Sequence, residues 1–333
     1  MKRQFSELEK NQLLIFFVIS YAIPLLMGIV MGLGFGKDCN ISLLPGAQML
    51  CPAIGVMAAI LLTKRANSLV PQAFFCGNLV LSFCLVLYSF FAVFLPPDSS
   101  ELIFNASACI VGVILLPIIL STDRQKKLAY GLLWSNTRSS VLCVGSFVVL
   151  FCLIRVVLSL FEAPTVWGRV QQIPVTALTS LPALCVSFFL SWLPFFGEEY
   201  GWRYFLQPLL QKRFGKRAGV LLLGVLWGIW HIHLDLFYYS SFDVLAIFAQ
   251  QVTCIFLGIF FAYAYMRTNN IWVPTALHFL NNNLSFVLRS QETAESAALT
   301  WGDLLLWLGV NAVIFGGFLF TNDSKKADTT NES

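Results

Sequence analysis

Charge is what this sequence is short of. Lys, Arg, Asp and Glu make up 11% of its 333 residues, against roughly a quarter in an ordinary soluble domain. A solvated globular enzyme is thereby excluded, and a net charge of only +4 offers no basic surface for a nucleic-acid partner. Histidine is scarcer still, with three in the whole chain. The metalloprotease spacings HExxH and HxxEH are missing, as is the serine-hydrolase GxSxG, so none of those site types is encoded in its usual form. Nine cysteines are present without a CxxC pair, which argues against a metal ribbon or a dithiol redox site. They fall almost all inside apolar runs and read as small buried hydrophobes. Only Cys39 is placed in an outer loop. Internal repeats and Gly/Ser linkers are also lacking.

Apolar length is what the sequence has instead, at 58% hydrophobic residues. A helix needs about 20 residues to cross a hydrocarbon core of about 30 Å. Runs of that kind lie at Gln12 to Phe35, Leu44 to Thr63, Leu69 to Leu95, Leu102 to Leu120, Val141 to Leu160, Val175 to Phe196, Ala218 to Phe237, Val244 to Met266, Ile271 to Leu288 and Leu304 to Phe320. The expected fold is therefore all-α, a polytopic transmembrane bundle of 8–10 spans. The first run is too long, and too poor in a small-residue cleavage site, for a removable signal peptide, and is expected to stay as an anchor.

Lys and Arg near span ends favour the cytoplasmic side. With the N-terminus inside, the inner segments collect Lys2, Arg3 and Lys10, then Lys64 and Arg65, then Arg124, Lys126, Lys127 and Arg138. Lys212, Arg213, Lys216, Arg217, Arg267, Lys325 and Lys326 follow, while the outer loops hold Lys37, Arg169 and Arg289. Both termini are expected in the cytoplasm.

One stretch breaks the apolar pattern: "GEEYGWRYF", residues 197 to 205. Ionisable groups at membrane depth are costly unless paired or facing a wet cavity. Glu199 and Arg203, four apart on one helix face, have the spacing of an internal salt bridge. Glu198 points about 100° away, and Pro194, four residues before it, offers no partner. It either snorkels to the cytoplasmic interface or does chemistry. In "WGIWHIHLD" His231 follows Trp227 by four residues, and His233 projects to the opposite face. In "ALHFLNNN" His278 and Asn282 share a face. Each histidine alone reads as a hydrogen-bond partner in a membrane core. Together with an unpaired glutamate on another span they suit water-mediated hydrolysis, with a carboxylate and an imidazole taking the proton of water and His and Asn donors stabilising an oxyanion. Zinc binding by the same residue types stays open on spacing alone.

"EEYGWR", followed by "FLQPLLQKRFG", "LLLGVLWGIWH" and "HFLNN", strongly resembles the CAAX protease and bacteriocin-processing (CPBP) family, which includes the type II CAAX prenyl endopeptidases and bacterial relatives also called Abi proteins. Its pattern is EExxxR, an aromatic with His four later, and HxxxN. These fall here on Glu198, Glu199 and Arg203, on Trp227 and His231, and on His278 and Asn282, in order. The resemblance implies an intramembrane endopeptidase in which Glu198 and His231 activate water, His278 and Asn282 form the oxyanion site, and Glu199 with Arg203 orders the first helix. It implies no cofactor, with zinc held by Glu198, His231 and His278 as the alternative. The face of His278 shows an amide but no evident carboxylate to support a metal-bound ring, which favours the metal-free form. His233 departs from the usual bacterial pattern, where an apolar residue or proline is expected.

On this reading residues 1–170 are transmembrane helices of unassigned role, 171–320 the catalytic core and 321–333 a disordered cytoplasmic tail. The expected setting is a bacterial plasma membrane, with membrane lipids and a peptide or lipidated protein as partners. Two other functions fit the same features: a non-catalytic self-immunity or scaffold member of the family, and a transporter. The transporter reading lacks repeated halves and paired Gly/Pro-broken helices.

Overall fold

The computed structural model describes residues 4–37, 39–64, 66–161, 170–239, 243–289 and 299–321, and among these no strand occurs. Ten long helical segments carry the fold: α1 Glu7–Gly34, α2 Leu44–Lys64, α3 Gln72–Phe94, α4 Pro97–Ser121, α5 Thr137–Ser159, α6 Gln172–Phe214, α7 Lys216–Tyr239, α8 Val244–Thr268, α9 Trp272–Arg289 and α10 Trp301–Phe320. A short helix, Arg124–Ala129, links α4 to α5. The chain is a multi-pass integral membrane protein with an all-α bundle.

Nine of these segments are long and apolar enough to cross a membrane, within the 8–10 expected, although ten runs were marked in the sequence. The exception is α9. His278 and Asn281 to Asn283 dilute its apolar content, while Leu277, Phe279, Leu280, Leu284 and Leu288 are buried and the helix packs along α6. The nine cysteines are free, but only Cys51, Cys143 and Cys254 are buried, and Cys76, Cys84 and Cys185 are exposed on helices of the bundle. A lipid-facing position accepts a small apolar thiol as readily as a core does, so apolar surroundings in the sequence did not mean burial. The expected disordered tail, apart from Thr321, lies outside the described residues.

Two helices depart from regularity where proline removes a donor. Pro24 has no N–H for the carbonyl of Ser20 four residues back, and α1 widens to a π turn over Val18–Ala22. In α6, Ser191 leaves helical geometry (φ −123°, ψ 20°) three residues before Pro194, a kink with an identifiable cause. The sequence places the end of this span at Phe196. Instead α6 continues through both glutamates, passes through a π-helical segment at Tyr200–Leu206 and ends at Phe214 before Gly215. Its charged residues do not stop it because they find partners inside the bundle.

The centre of the bundle is α2, buried at every position from Cys51 to Ile60. One hydrophobic cluster runs from Phe16 and Met57 through Phe196, Tyr200 and Trp202 to Trp230 and Leu277. The N-terminal helices thus share a core with the segment that carries the charged motif.

The basic-residue bias predicts sidedness. In a cysteine-free background, Gln125→Cys is expected to react only with a label supplied from the cytoplasm, and Ser99→Cys only from outside. The reverse pattern would invert the orientation.

Candidate active site

Glu198 and Glu199 occupy a part of α6 pressed against α2. A Cβ placed on Gly197 would meet the Met49 carbonyl oxygen, and one on Gly201 would meet Pro52. Two glycines four residues apart let helix backbones approach closely, the small-xxx-small device of membrane helices. The signal stands in the sequence as "GEEYG", two glycines that flank the charged pair.

At this contact Glu198 is 1% exposed, so it does not snorkel to an interface. Its Oε2 accepts from the indole N–H of Trp227 at 2.7 Å and of Trp202 at 3.3 Å. The expectation that Glu198 lacks a local partner is corrected: Trp202 sits four residues later on the same helix, in the direction opposite to Pro194. Neither indole is charged, so the carboxylate is oriented without being neutralised.

Glu199 pairs with Arg203, as the spacing anticipated, through Oε2 and Nε at 2.8 Å with both side chains fully buried. Its other oxygen, Oε1, lies 3.0 Å from Nδ1 of His278 on α9. That contact supplies the carboxylate that the sequence reading found missing beside His278, and it removes the argument against a supported metal-binding ring. The Arg203 guanidinium lies over the rings of Trp227, at 4.9 Å, and Phe261, at 5.5 Å.

His231 stands where α7 breaks, between its first stretch Lys216–Ile229 and the short turn Ile232–Leu234. Its Nδ1 lies 2.8 Å from the Trp227 carbonyl and 3.7 Å from Cys254 Sγ. A carbonyl only accepts, so Nδ1 carries the hydrogen and Nε2 keeps its lone pair. His233 points elsewhere, its Nε2 lying 2.6 Å from Gln48 Oε1, in line with the opposite faces read from the sequence.

Trp227 is the common neighbour. It donates to Glu198, its carbonyl holds His231, and its ring lies 5.8 Å from the His231 ring and 5.4 Å from that of His278. Glu198, His231 and His278 are thereby gathered from α6, α7 and α9. Asn282 is not drawn in with them. It lies one turn beyond His278, exposed, with Oδ1 accepting from Asn281 Nδ2 at 3.1 Å, so its own amide N–H groups are left to donate elsewhere.

Residues 179–284 match the family described as type II CAAX prenyl endopeptidase Rce1-like. This segment is similar to an Rce1-like domain. The match holds all three motifs and fits the CPBP resemblance; it supports membership of a protease family. No curated protein and no solved structure matches the chain.

The Rce1-like domain contains donors of the right type for zinc: Nε2 of His231, Nε2 of His278 and the Glu198 carboxylate. Among the described residues, however, no three His, Cys, Asp or Glu side chains come close enough together to hold a metal ion. His231 and His278 are both engaged through Nδ1, so each keeps Nε2 for a further contact, whereas His233 spends its Nε2 on Gln48.

Proposed function

We propose that this protein is an intramembrane endopeptidase that hydrolyses a peptide bond with a water activated by Glu198 and His231. The observation that carries this reading is the unequal treatment of two adjacent carboxylates. Glu199 is consumed by Arg203 and His278, whereas Glu198 receives only neutral indole donors and keeps its basicity for a proton.

In this mechanism Glu198 takes a proton from water, with His231 Nε2 as the second acceptor, while the water oxygen adds to the scissile carbonyl. The negative charge passes to the carbonyl oxygen, which His278 and Asn282 stabilise as hydrogen-bond donors. The proton held by the base then goes to the leaving amine as the C–N bond breaks. A neutral His278 cannot serve here, because its single hydrogen is spent on Glu199 through Nδ1. Donation from Nε2 requires the imidazolium, which replaces the neutral ring expected from the sequence. Charge balance favours that form: Glu198 and Glu199 carry two negative charges, and Arg203 with protonated His278 carries two positive ones, leaving a buried set with no net charge.

The substrate that suits the setting is a peptide segment of a membrane-associated or lipidated protein, reached from within the bilayer, in a bacterial plasma membrane with both termini cytoplasmic. Nucleic acid has no place in the reading. Asn282→Ala is expected to lower turnover roughly 100-fold, as a lost oxyanion donor does, with substrate binding retained. Peptide-cleavage kinetics check this, and unchanged turnover would remove Asn282 from the site.

The metal-free form has a direct test. Cleavage by the purified protein is expected to survive extensive chelation, and elemental analysis is expected to find far less than one zinc per chain. Stoichiometric zinc, with activity lost on its removal and restored on its return, would instead make Glu198, His231 and His278 ligands.

A further inference from the structure

We infer that Gln48 on α2, together with His233, is a positioning pair for His231, so that the catalytic unit extends beyond the Rce1-like domain into the N-terminal helices. The inference rests on the peptidase reading for its kinetic consequence, but its geometry stands apart from it.

The break in α7 creates the need. In an uninterrupted helix the Trp230 carbonyl would accept from the amide of Leu234 four residues on. Here the amides of Leu234 and Asp235 both go to the His231 carbonyl, at 2.8 and 3.0 Å. The Trp230 carbonyl is left without its helical donor at the residue just before His231. Gln48, fully buried, supplies the donor through Nε2 at 3.1 Å. That bond fixes the amide orientation, since only the –NH2 end can donate to a carbonyl. Oε1 therefore faces His233 and accepts its Nε2–H at 2.6 Å. A single side chain thus grips the chain on both sides of His231, at Trp230 and at His233.

Three further contacts from α1 hold the same stretch. Trp230 Nε1 donates to the Ser20 carbonyl at 2.7 Å, the carbonyl left without a partner N–H at Pro24, and the Tyr21 hydroxyl donates to the Leu226 carbonyl at 3.0 Å. Gly28 leaves room for the His233 ring, since a Cβ there would come within 2.8 Å of its Cγ. Each of Ser20, Tyr21, Gly28 and Gln48 lies outside residues 179–284. The extra histidine at 233 is accounted for as the group that anchors the far side of the turn to α2.

The test joins kinetics with an activity-independent reading of the His231 ring. With three histidines in the chain, selective 15N-histidine labelling gives a spectrum that single-histidine variants assign. The wild-type protein is expected to show His231 with its hydrogen on Nδ1 and His233 with its hydrogen on Nε2. In Gln48→Met the His231 signals are expected to split or shift as the ring samples a second tautomer, and kcat to fall roughly 10- to 100-fold through misplacement of the base with KM within about twofold. His233→Leu is expected to act in the same direction, and the double variant to be no worse than the more damaging single one, because both remove one coupled device. A purely structural role would instead lower the folded amount and thermal stability without changing kcat per folded molecule or the ring tautomer. If Gln48→Met does not accumulate, His233→Leu at its half-buried position carries the same measurement. Unchanged His231 signals in a folded variant would overturn the inference. Should the wild-type protein cleave no peptide, the peptidase reading fails on its own and the ring spectrum still decides the role of Gln48.

Discussion

Glu198→Gln is expected to abolish cleavage while the protein still accumulates, folded, in the membrane. The amide has the volume of the carboxylate and keeps one oxygen to accept from the indoles of Trp227 and Trp202, which reach Glu198 Oε2 at 2.7 and 3.3 Å. Gly197 and Gly201, which set the close approach of α6 to α2, are unchanged. What is lost is the basicity, and removal of a general base costs about 10²- to 10⁴-fold in rate. A drop of roughly 10³-fold at equal abundance is therefore the expected reading in a peptide-cleavage assay. A variant that cleaves at the wild-type rate would leave the protein without the base that the mechanism requires.

Glu199→Ala is expected to fail differently, in folding. It strips the partner from a fully buried guanidinium and from the Nδ1–H of His278 at once. Arg203 has no second hydrogen-bonded partner among the described residues to fall back on, because its Nη1 and Nη2 are buried without hydrogen bonds and the Trp227 and Phe261 rings lie against it. Breaking a buried pair by deleting one member costs about 3–5 kcal/mol, a large part of the stability of an ordinary domain. Membrane accumulation and thermal midpoint are the measurements, and both are expected to fall sharply. Replacing the pair together, Glu199→Leu with Arg203→Met, is expected to recover folded protein but not turnover, because His278 remains without its carboxylate. If Glu199→Ala accumulates normally and only cleavage is lost, the division of labour between the two glutamates is wrong.

The parts of this architecture that were legible in the sequence are those set by local periodicity. Hydrophobic run length marked nine of the spans because lipid demands it of each helix separately. The Glu199–Arg203 pair followed from four-residue spacing on one helix. The divergence of His231 and His233 followed in the same way. What stayed hidden depends on which helices meet. No spacing shows that Trp227 on α7 donates to Glu198 on α6, that Glu199 reaches His278 on α9, or that Gln48 on α2 serves the turn of His231. The run Ile271 to Leu288 is the least apolar of the ten. It has the length of a span, but its histidine and asparagines make it too polar to cross on its own composition, and its neighbours inside the bundle supply the environment that its sequence does not advertise. Asn282 is a further case: four-residue spacing places it on the face of His278, yet helical spacing says nothing of depth, and it sits exposed one turn away from the buried cluster.

The glycine contact on α6 has a consequence for how such a protein can change over generations. Gly197 and Gly201 enclose the two glutamates, so the residues that set the register between α6 and α2 and the residue that acts on water are written in one five-residue word. Inserting or deleting a single residue there would turn Glu198 by about 100° about the helix axis and in the same stroke drive a side chain into Met49 or Pro52. Lineages that preserve the fit of these two helices thus inherit the position of the carboxylate with it. Substrate preference is then left to drift at positions of the surrounding helices that lie outside this contact.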